Sequence, residues 1–328
     1  MVAVKSMEQV QEAQRFDPKC FQAPTMVLLS CFLGLAAGLK LHDMLKPVLS
    51  ITDGDASRYE ADMDAIMAKY QKVKKSGGDF FTKMEPYEIV NAAYGIYAQK
   101  EASYSVSVGS SNAMGLVDQR IESTQMRDGD RYFEESNSSS TYVKLYNRMY
   151  QEGDQTTKYW GSTPNYASDK PVKVDNKTYK EEMGRNVSDG LVYIVSDLTE
   201  SKEDLSGEGL TKVQKNKDGT YTIDMEVDPL TSTLRYVRQM KTISNLKAPP
   251  NFSYVHLRWN FTSDLTLRWF QNKEKYQATL SSGIGSPCAG TMTTVYFSSL
   301  PQGGIPEPSG ALPEYPKTEA ALLSQIEK

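Results

Sequence analysis

The residue types that do covalent or metal chemistry are scarce in this chain, and their spacings build no known centre. The 328 residues include 2 His and 3 Cys, so a histidine-based metal or acid–base centre is not expected. Cys20, Cys31 and Cys288 share no CxxC spacing, which argues against zinc. The most glycine-rich stretch, Gly283–Gly290 (GIGSPCAG), sits between two strand-like runs and lacks a P-loop lysine, so it reads as a hairpin loop and not as a phosphate cradle. Cys288 in that loop is a nucleophile without a histidine nearby in sequence, since His256 lies in the strand-like run Tyr254–Asn260. Carboxylates pair at Asp128/Asp130 and at Glu134/Glu135, where a turn and a strand edge account for them. Acid–base hydrolysis of a glycoside needs two carboxylates facing across a cleft, which spacing alone does not supply. Asp53-Gly54-Asp55 is too short for an EF-hand loop. No catalytic residue, metal ligand or cofactor motif is therefore assigned. Arg258-Trp259 and Arg268-Trp269-Phe270 place guanidinium and aromatic groups in adjacent strands, a pairing that suits carbohydrate or lipid head groups. The plainer alternative is a strand surface shielded by long side chains.

The elements around these residues are readable from periodicity. Asp55–Lys75 carries Tyr59, Met63, Ile66, Tyr70 and Val73 on one helical stripe, with Asp53 or Asp55 as cap, lysines in the last turn and Ser76-Gly77-Gly78 as the stop. A second helix is expected over Lys83–Lys100, opened by a Thr82/Glu85 capping box with Pro86 in the first turn. Its stripe of Tyr87, Val90, Tyr94 and Tyr97 suits a core, and equally one wall of an apolar cavity.

From Glu101 the period changes to two. Tyr104, Val106 and Val108 alternate with Ser105 and Ser107, giving one buried and one polar face. A turn is expected over Gly109–Gly115, a hairpin at Asp128-Gly129, a loop over Ser136–Ser140, strands over Tyr142–Tyr150 and Thr156–Trp160, and a short hairpin from Val172–Val174 into Asp175–Lys177. After a charged loop at Ser201–Gly209 come a hairpin turning at Lys217-Asp218-Gly219, a helix over Asp228–Arg238 and a Pro249-Pro250 break. Strands follow over Val255–Phe261, Leu265–Asn272, Lys275–Leu280 and Thr291–Phe297. Gly303–Pro316 is irregular, and Thr318 caps a terminal helix. The fold class is α+β: a curved antiparallel sheet, a half-barrel, covered by helices.

Net charge of −4 makes non-specific nucleic-acid binding unexpected. Ala23–Leu39 is uncharged and mostly apolar, at the short end of a membrane span. It reads as an uncleaved single-pass anchor, a secretory signal or a buried helix. The expected organisation is a tail over 1–22, the anchor or signal over 23–39, a helical stalk over 40–78, the β-rich domain over 79–300 and a Pro/Gly-rich segment with a short helix over 301–328.

Taken in order, EPYEIVNAAYGIYAQKEASYSVSV, the DGDRYFEE return, the DGTYTIDMEV hairpin and the closing strands DLTLRWFQNKEKYQATL and TTVYF resemble the LolA/LppX-like bacterial lipoprotein fold, over roughly residues 80–300. The resemblance implies a half-barrel closed by helices around an apolar cavity for acyl chains, with the helix Lys83–Lys100 helping to close it. The expected function is then a membrane-anchored extracytoplasmic binding protein for a lipid or other apolar ligand, a carrier or envelope sensor without catalysis. Candidate ligand contacts are Tyr87, Val90, Tyr94, Tyr97, Trp259 and Trp269, and the membrane and an envelope protein are candidate partners. The alternatives are a protein-interaction module of the cell envelope without a cavity, and an envelope hydrolase.

Overall fold

The computed structural model describes residues 61–113, 117–140, 144–161, 171–178, 200–229, 248–279, 285–312 and 314–326, and Asp62 caps the first helix among them. Its carboxylate accepts the Ala65 N–H at 3.0 Å, and Lys72, Lys74 and Lys75 fill the last turn of α1 (Met63–Lys75), so both ends of the helix dipole are compensated. Ile66, Tyr70 and Val73 of the expected stripe are buried. The expected caps Asp53 and Asp55 lie outside the described residues, as do Ala23–Leu39 and the expected helix Asp228–Arg238 beyond Pro229. Among the described residues no helix is long and apolar enough to cross a membrane.

The helix expected from Lys83 is split. α2 (Phe80–Lys83) is one turn capped by Asp79, and α3 (Pro86–Ala98) begins only after Met84 and Glu85 have turned extended. Pro86 explains the split, because its ring disfavours helical backbone in the residue before it. The capping box shifts accordingly: Glu88, not Glu85, reaches back, accepting the Glu85 N–H at 2.8 Å.

Eleven strands follow: β1 (Ala102–Ala113), β2 (Val117–Asp128), β3 (Arg131–Ser140), β4 (Lys144–Glu152), β5 (Gln155–Gly161), β6 (Val172–Asp175), β7 (Lys212–Lys215), β8 (Tyr221–Val227), β9 (Ala248–Phe261), β10 (Leu267–Thr279) and β11 (Gly285–Phe297). They form one antiparallel sheet in the order β6-β5-β4-β3-β2-β1-β11-β10-β9-β8-β7. Two sequential meanders thus run outward to β6 and inward from β7, and meet where β1 pairs with β11. Gly129 and Gly153 take positive φ in the two-residue turns before β3 and β5, the first of them the hairpin expected at Asp128-Gly129.

Five expected breaks are strand instead. The expected turn at Gly109 is interior to β1, where a Cβ would stand 2.5 Å from the Thr291 carbonyl oxygen, so glycine lets β1 and β11 approach. The Ser136–Ser140 loop is the second half of β3. Pro249 and Pro250 lie inside β9, where the two residues together oppose Ala278 in a bulge, one of the few sheet positions that tolerates proline. Most of the expected Gly283–Gly290 loop is the start of β11, and the two runs from Leu265 to Leu280 are the single strand β10.

The sheet has two covered faces. On the helix face, α1–α3 pack over β8–β11, with Phe81 stacked on Tyr221 at 3.7 Å and the Tyr94 hydroxyl 3.2 Å from that of Tyr296. On the opposite tail face, Tyr104, Val106, Val108, Met126, Phe133 and Val295 pack against Ile305, Tyr315 and Leu322 of the C-terminal segment. That segment ends in α4 (Glu319–Leu323), capped by Thr318 as expected.

Candidate functional site

The register divides the six expected ligand contacts. Val90, Tyr94, Tyr97 and Trp259 come together on the helix face and are buried, and Trp259 Nε1–H donates to the Tyr94 hydroxyl at 3.2 Å. Burial pushes the Tyr94 and Tyr97 phenols up to about 12, against the opposing pull of neighbouring hydroxyls and, for Tyr94, of the Trp259 indole N–H. Tyr87 is exposed on the outer side of α3. Trp269 belongs to the tail face, because successive strand residues point to opposite faces. The expected cationic–aromatic patch is therefore two units: Trp259 tilts against Phe270 inside the helix-face core, and Arg258 lies over Trp269 at 5.6 Å on the other side.

The helix face changes chemistry across the β1–β11 seam. From β8 to β11 it presents Ile223, Met225, Val227, Leu257, Trp259, Phe261, Phe270 and Met292, all buried. From β1 to β5 the register puts Ser103, Ser105, Ser107 and Ser111; Gln119, Ser123 and Gln125; Glu134, Ser136 and Ser138; and Thr156 and Lys158 on this face, interspersed with the buried apolar Ile121, Tyr132 and Met149. Most of these are buried as well. The expected apolar and polar faces of β1 are both present, and the polar one is largely buried as well.

Several of these polar groups satisfy one another. Ser107 and Thr294 hydroxyls meet across the seam at 2.8 Å, Gln119 Nε2–H donates to Ser138, and the Tyr132 hydroxyl and Gln125 Nε2–H donate to Glu134. Others do not. Gln119 Oε1, Ser136 Oγ and, across the seam on β10, Asn272 Oδ1 are buried and accept no hydrogen bond. A buried polar atom left without a partner costs about 1–3 kcal/mol; the tail face carries such atoms too, among them Thr124 Oγ1 and Glu226 Oε1.

The expected catalytic candidates separate. Glu134 and Glu135 both lie inside β3, not at its edge, and on opposite faces. Asp128 pairs with Arg131 across the turn. Cys288 is buried on the helix face beside Ser286 and on the opposite side of the sheet from His256. The described residues hold no cluster of His, Cys, Asp and Glu fit for a metal ion.

Sequence reasoning missed a charged cluster on the tail face of β8 and β9. His256 Nε2 donates to Asp224, its Nδ1 lies 3.2 Å from Glu226 Oε2, and Ser206 of the 200–211 loop donates to Glu226 while approaching Nδ1 at 3.2 Å. Arg258 flanks Asp224, and Lys273 holds Glu208 of the same loop at 2.8 Å. The i, i+2 carboxylates of Tyr221–Val227 carried the signal, since alternate strand residues share a face. The arrangement looks like a nucleophile triad but clamps a cation. Burial pulls the imidazolium pKa down, yet the hydrogen bonds and charges of Asp224 and Glu226 outweigh it, and the net pKa is raised. Burial likewise raises Asp224, and His256 and Arg258 override it to give a net lowering. A ring held protonated is a poor general base for Ser206.

The sign of the pH dependence follows. His256 contributes stability that is complete below its ordinary 6.5 and is lost as pH rises through the raised value. Asp224 contributes stability present above its ordinary 3.8 and lost as pH falls through the lowered value. The cluster is therefore at full strength between about pH 4 and pH 6.5. We expect Tm to fall between pH 6.5 and pH 9, and the fall to be reduced in His256→Gln. Equal slopes in the two proteins would show that His256 does not carry it.

A cleft of about 210 Å³ opens on the tail face between Val108–Ser110, Arg120, Thr291–Thr293 and Lys317–Glu319. Its cations are engaged: Lys317 Nζ reaches Glu122 at 2.9 Å, and Arg120 pairs with Glu122 at 3.0 Å and donates to the Lys317 carbonyl.

No known protein family and no curated protein matches this chain. Among solved structures it is similar to a LolA superfamily protein from Nitrosomonas europaea, at 9% identity over 67% of this chain and 96% of that one, with a TM-score of 0.24. It is also similar to an S-type phycobiliprotein lyase from Guillardia theta, at 9% identity over 63% and 98%, with a TM-score of 0.19. A de novo designed transmembrane β-barrel matches at 6% identity over 61% and 98%, with a TM-score of 0.16. At these values the likeness does not bear on function.

Proposed function

We propose that this protein binds an amphiphilic ligand without catalysis, with the ligand's apolar part against the β8–β11 half of the helix face and its polar part against the β1–β3 half. One observation carries the reading: a single buried sheet face is mainly apolar from β8 to β11 and, Ile121, Tyr132 and Met149 apart, mainly polar from β1 to β5, with buried oxygens that accept no hydrogen bond. Burial of an apolar chain there draws on the general driving force of roughly 25 cal/mol per Å² of area removed from water. Ala23–Leu39 would tether the body to a membrane from the extracytoplasmic side, as an envelope carrier or sensor.

The test is mass spectrometry of an organic extract of the full-length protein purified in a lipid-free detergent. Stoichiometric retention of one lipid class supports binding. A ligand-free protein that also takes up no lipid from mixed vesicles would sink it.

A second reading has its own support. Leu205, Leu210 and Val213 are 42%, 43% and 41% exposed along the loop and edge strand β7, and an open strand edge with nearby apolar side chains suits docking of a protein partner. Cross-linking at β7 would separate the two readings.

A further inference from the structure

Residues 201–211 lie as a strap across the tail face of β8, β9 and β10. At one end the Ser201 N–H donates to the Glu226 carbonyl at 2.9 Å, beside the bridge between Glu200 and Val227, and at the other the chain enters β7. No residue of the strap is buried, and Leu205 and Leu210 are exposed, so apolar packing does not hold it down. Two of its side chains reach the sheet. Glu208 meets Lys273 of β10 at 2.8 Å, an exposed pair of the kind that contributes little. Ser206 donates to Glu226 of β8 and lies 3.2 Å from His256 Nδ1 of β9. The Ser206 clasp is therefore the main tie, and it rests on a carboxylate with no exposed surface.

That carboxylate depends on the charge of His256. An imidazolium carries two N–H groups, and here one is directed to Asp224 and the other to Glu226 Oε2 at 3.2 Å. A neutral ring keeps a single N–H, so one carboxylate then faces a lone pair instead of a donor. Glu226 has less to fall back on. Arg258 flanks Asp224, and Lys212 stands opposite Asp224 on β7, whereas Glu226 Oε1 already accepts no hydrogen bond. Ser206 has one hydroxyl proton, which cannot serve both Glu226 and Nδ1. A buried carboxylate that loses its charge partner is costly until water reaches it, and the element lying over Glu226 on this face is the strap.

The charged and titratable groups around His256 are Asp224 and Glu226 on β8, Tyr254 and Arg258 on β9, Lys273 opposite it on β10, Lys212 on β7, and Asp204 and Glu208 on the strap. Of these residue types only histidine ordinarily titrates between pH 5 and pH 8, and burial moves the Tyr254 phenol further up. Burial draws His256 down, but the hydrogen bonds and charges of Asp224 and Glu226 outweigh it and raise the net value. The proton is therefore fully present below the ordinary 6.5 and leaves as pH rises through the raised value.

We infer that residues 201–211 are a pH-operated strap, closed over β8–β10 while His256 is protonated and released when it is not. Leu205 and Leu210 ride on it, so the same step moves the apolar part of the β7 edge.

The test is thermolysin cleavage before Leu205 and Leu210 in the full-length protein at pH 5.5 and pH 9, each rate divided by that of a free peptide of residues 200–212 at the same pH. The divided rate should be about tenfold higher at pH 9, with no matching rise in cleavage within β8–β11. Ser206→Ala removes the clasp and leaves His256 and its carboxylates in place, so the strap should be cut fast at both pH values while Tm barely changes. His256→Gln should flatten the difference between the two pH values. Equal divided rates in the unaltered protein, a difference that survives in His256→Gln, or a Ser206→Ala strap still protected at pH 5.5 each overturns the inference. A rise at pH 9 shared by β8–β11 overturns it as well, since that is unfolding of the body and not release of the strap.

Discussion

Arg148→Ala should lower the unfolding free energy by about 3–5 kcal/mol, the usual cost of stranding one partner of a buried ion pair. Arg148 is 1% exposed on the tail face, its Nε–H donates to Glu135 Oε2 at 2.7 Å, and its Nη1 donates to the carbonyls of Pro308 and Gly310 at 3.0 and 2.6 Å. Its guanidinium also lies over the Phe133 ring at 5.1 Å. One side chain therefore neutralises a buried carboxylate and ties the C-terminal segment to the sheet. Without it Glu135 stays buried and loses this charge partner, and two carbonyls lose their donor. Urea denaturation gives the energy, and limited proteolysis should show cleavage appearing within residues 301–326. The double variant Arg148→Met/Glu135→Leu should recover much of the loss, because it strands no charge. A loss below about 1 kcal/mol in the single variant would mean the pair is effectively solvated.

Trp259→Ala should cost a comparable amount, about 3–5 kcal/mol, through lost burial and the cavity left between α3 and β10. Trp259 has no exposed surface, tilts against Phe270 with ring centroids 5.4 Å apart, and donates to Tyr94. Trp259→Phe keeps most of the volume and loses the indole donor, so about 1–2 kcal/mol is expected. Denaturation of both variants checks the ordering. If alanine and phenylalanine cost the same, the hydrogen bond and not the packing would dominate. The pair also bears on ligand binding: a Trp259 that only fills the core changes stability and leaves the lipid isotherm's midpoint unmoved in the phenylalanine variant.

The apolar alternation was legible, and so were the elements built on it. Tyr104, Val106 and Val108, the hairpins at Asp128-Gly129 and Lys217-Asp218-Gly219, and the helix stripe Ile66–Tyr70–Val73 stand where period and turn chemistry put them. What misled was the use of polar and flexible residues as punctuation. Ser136–Ser140 (SNSSS) has no apolar alternation of its own to reveal a strand; its pairing with Gln119–Ser123 and Lys144–Asn147 is what makes it one. Gly109 and Gly290 looked like turn residues and instead sit in the strands where β1 and β11 pair. Pro249-Pro250 looked like a break and is a bulge. Of the candidate site, the stripe of α3 and its partner Trp259 could be seen, but the polar half could not. Serine in a strand signals solvent unless the cross-strand partners are known, and those partners, such as Thr294 for Ser107, come from the far end of the chain.

That last pairing shapes how the chain reaches its structure. Every other ladder joins strands that are consecutive along the chain, while the β1–β11 seam and the helix contacts above it bring together groups such as Tyr94 and Tyr296, 202 residues apart. Closing so long a loop is the slow, entropically expensive step in assembling a sheet. The two meanders can therefore gain local order early, each with a bare edge strand at the future centre, and the last act of folding is to zip these edges together. Until it does, β1 and β11 are open templates for the same strands of other molecules. The nascent chain is most exposed to domain exchange and aggregation in the interval between completion of β1 and emergence of β11.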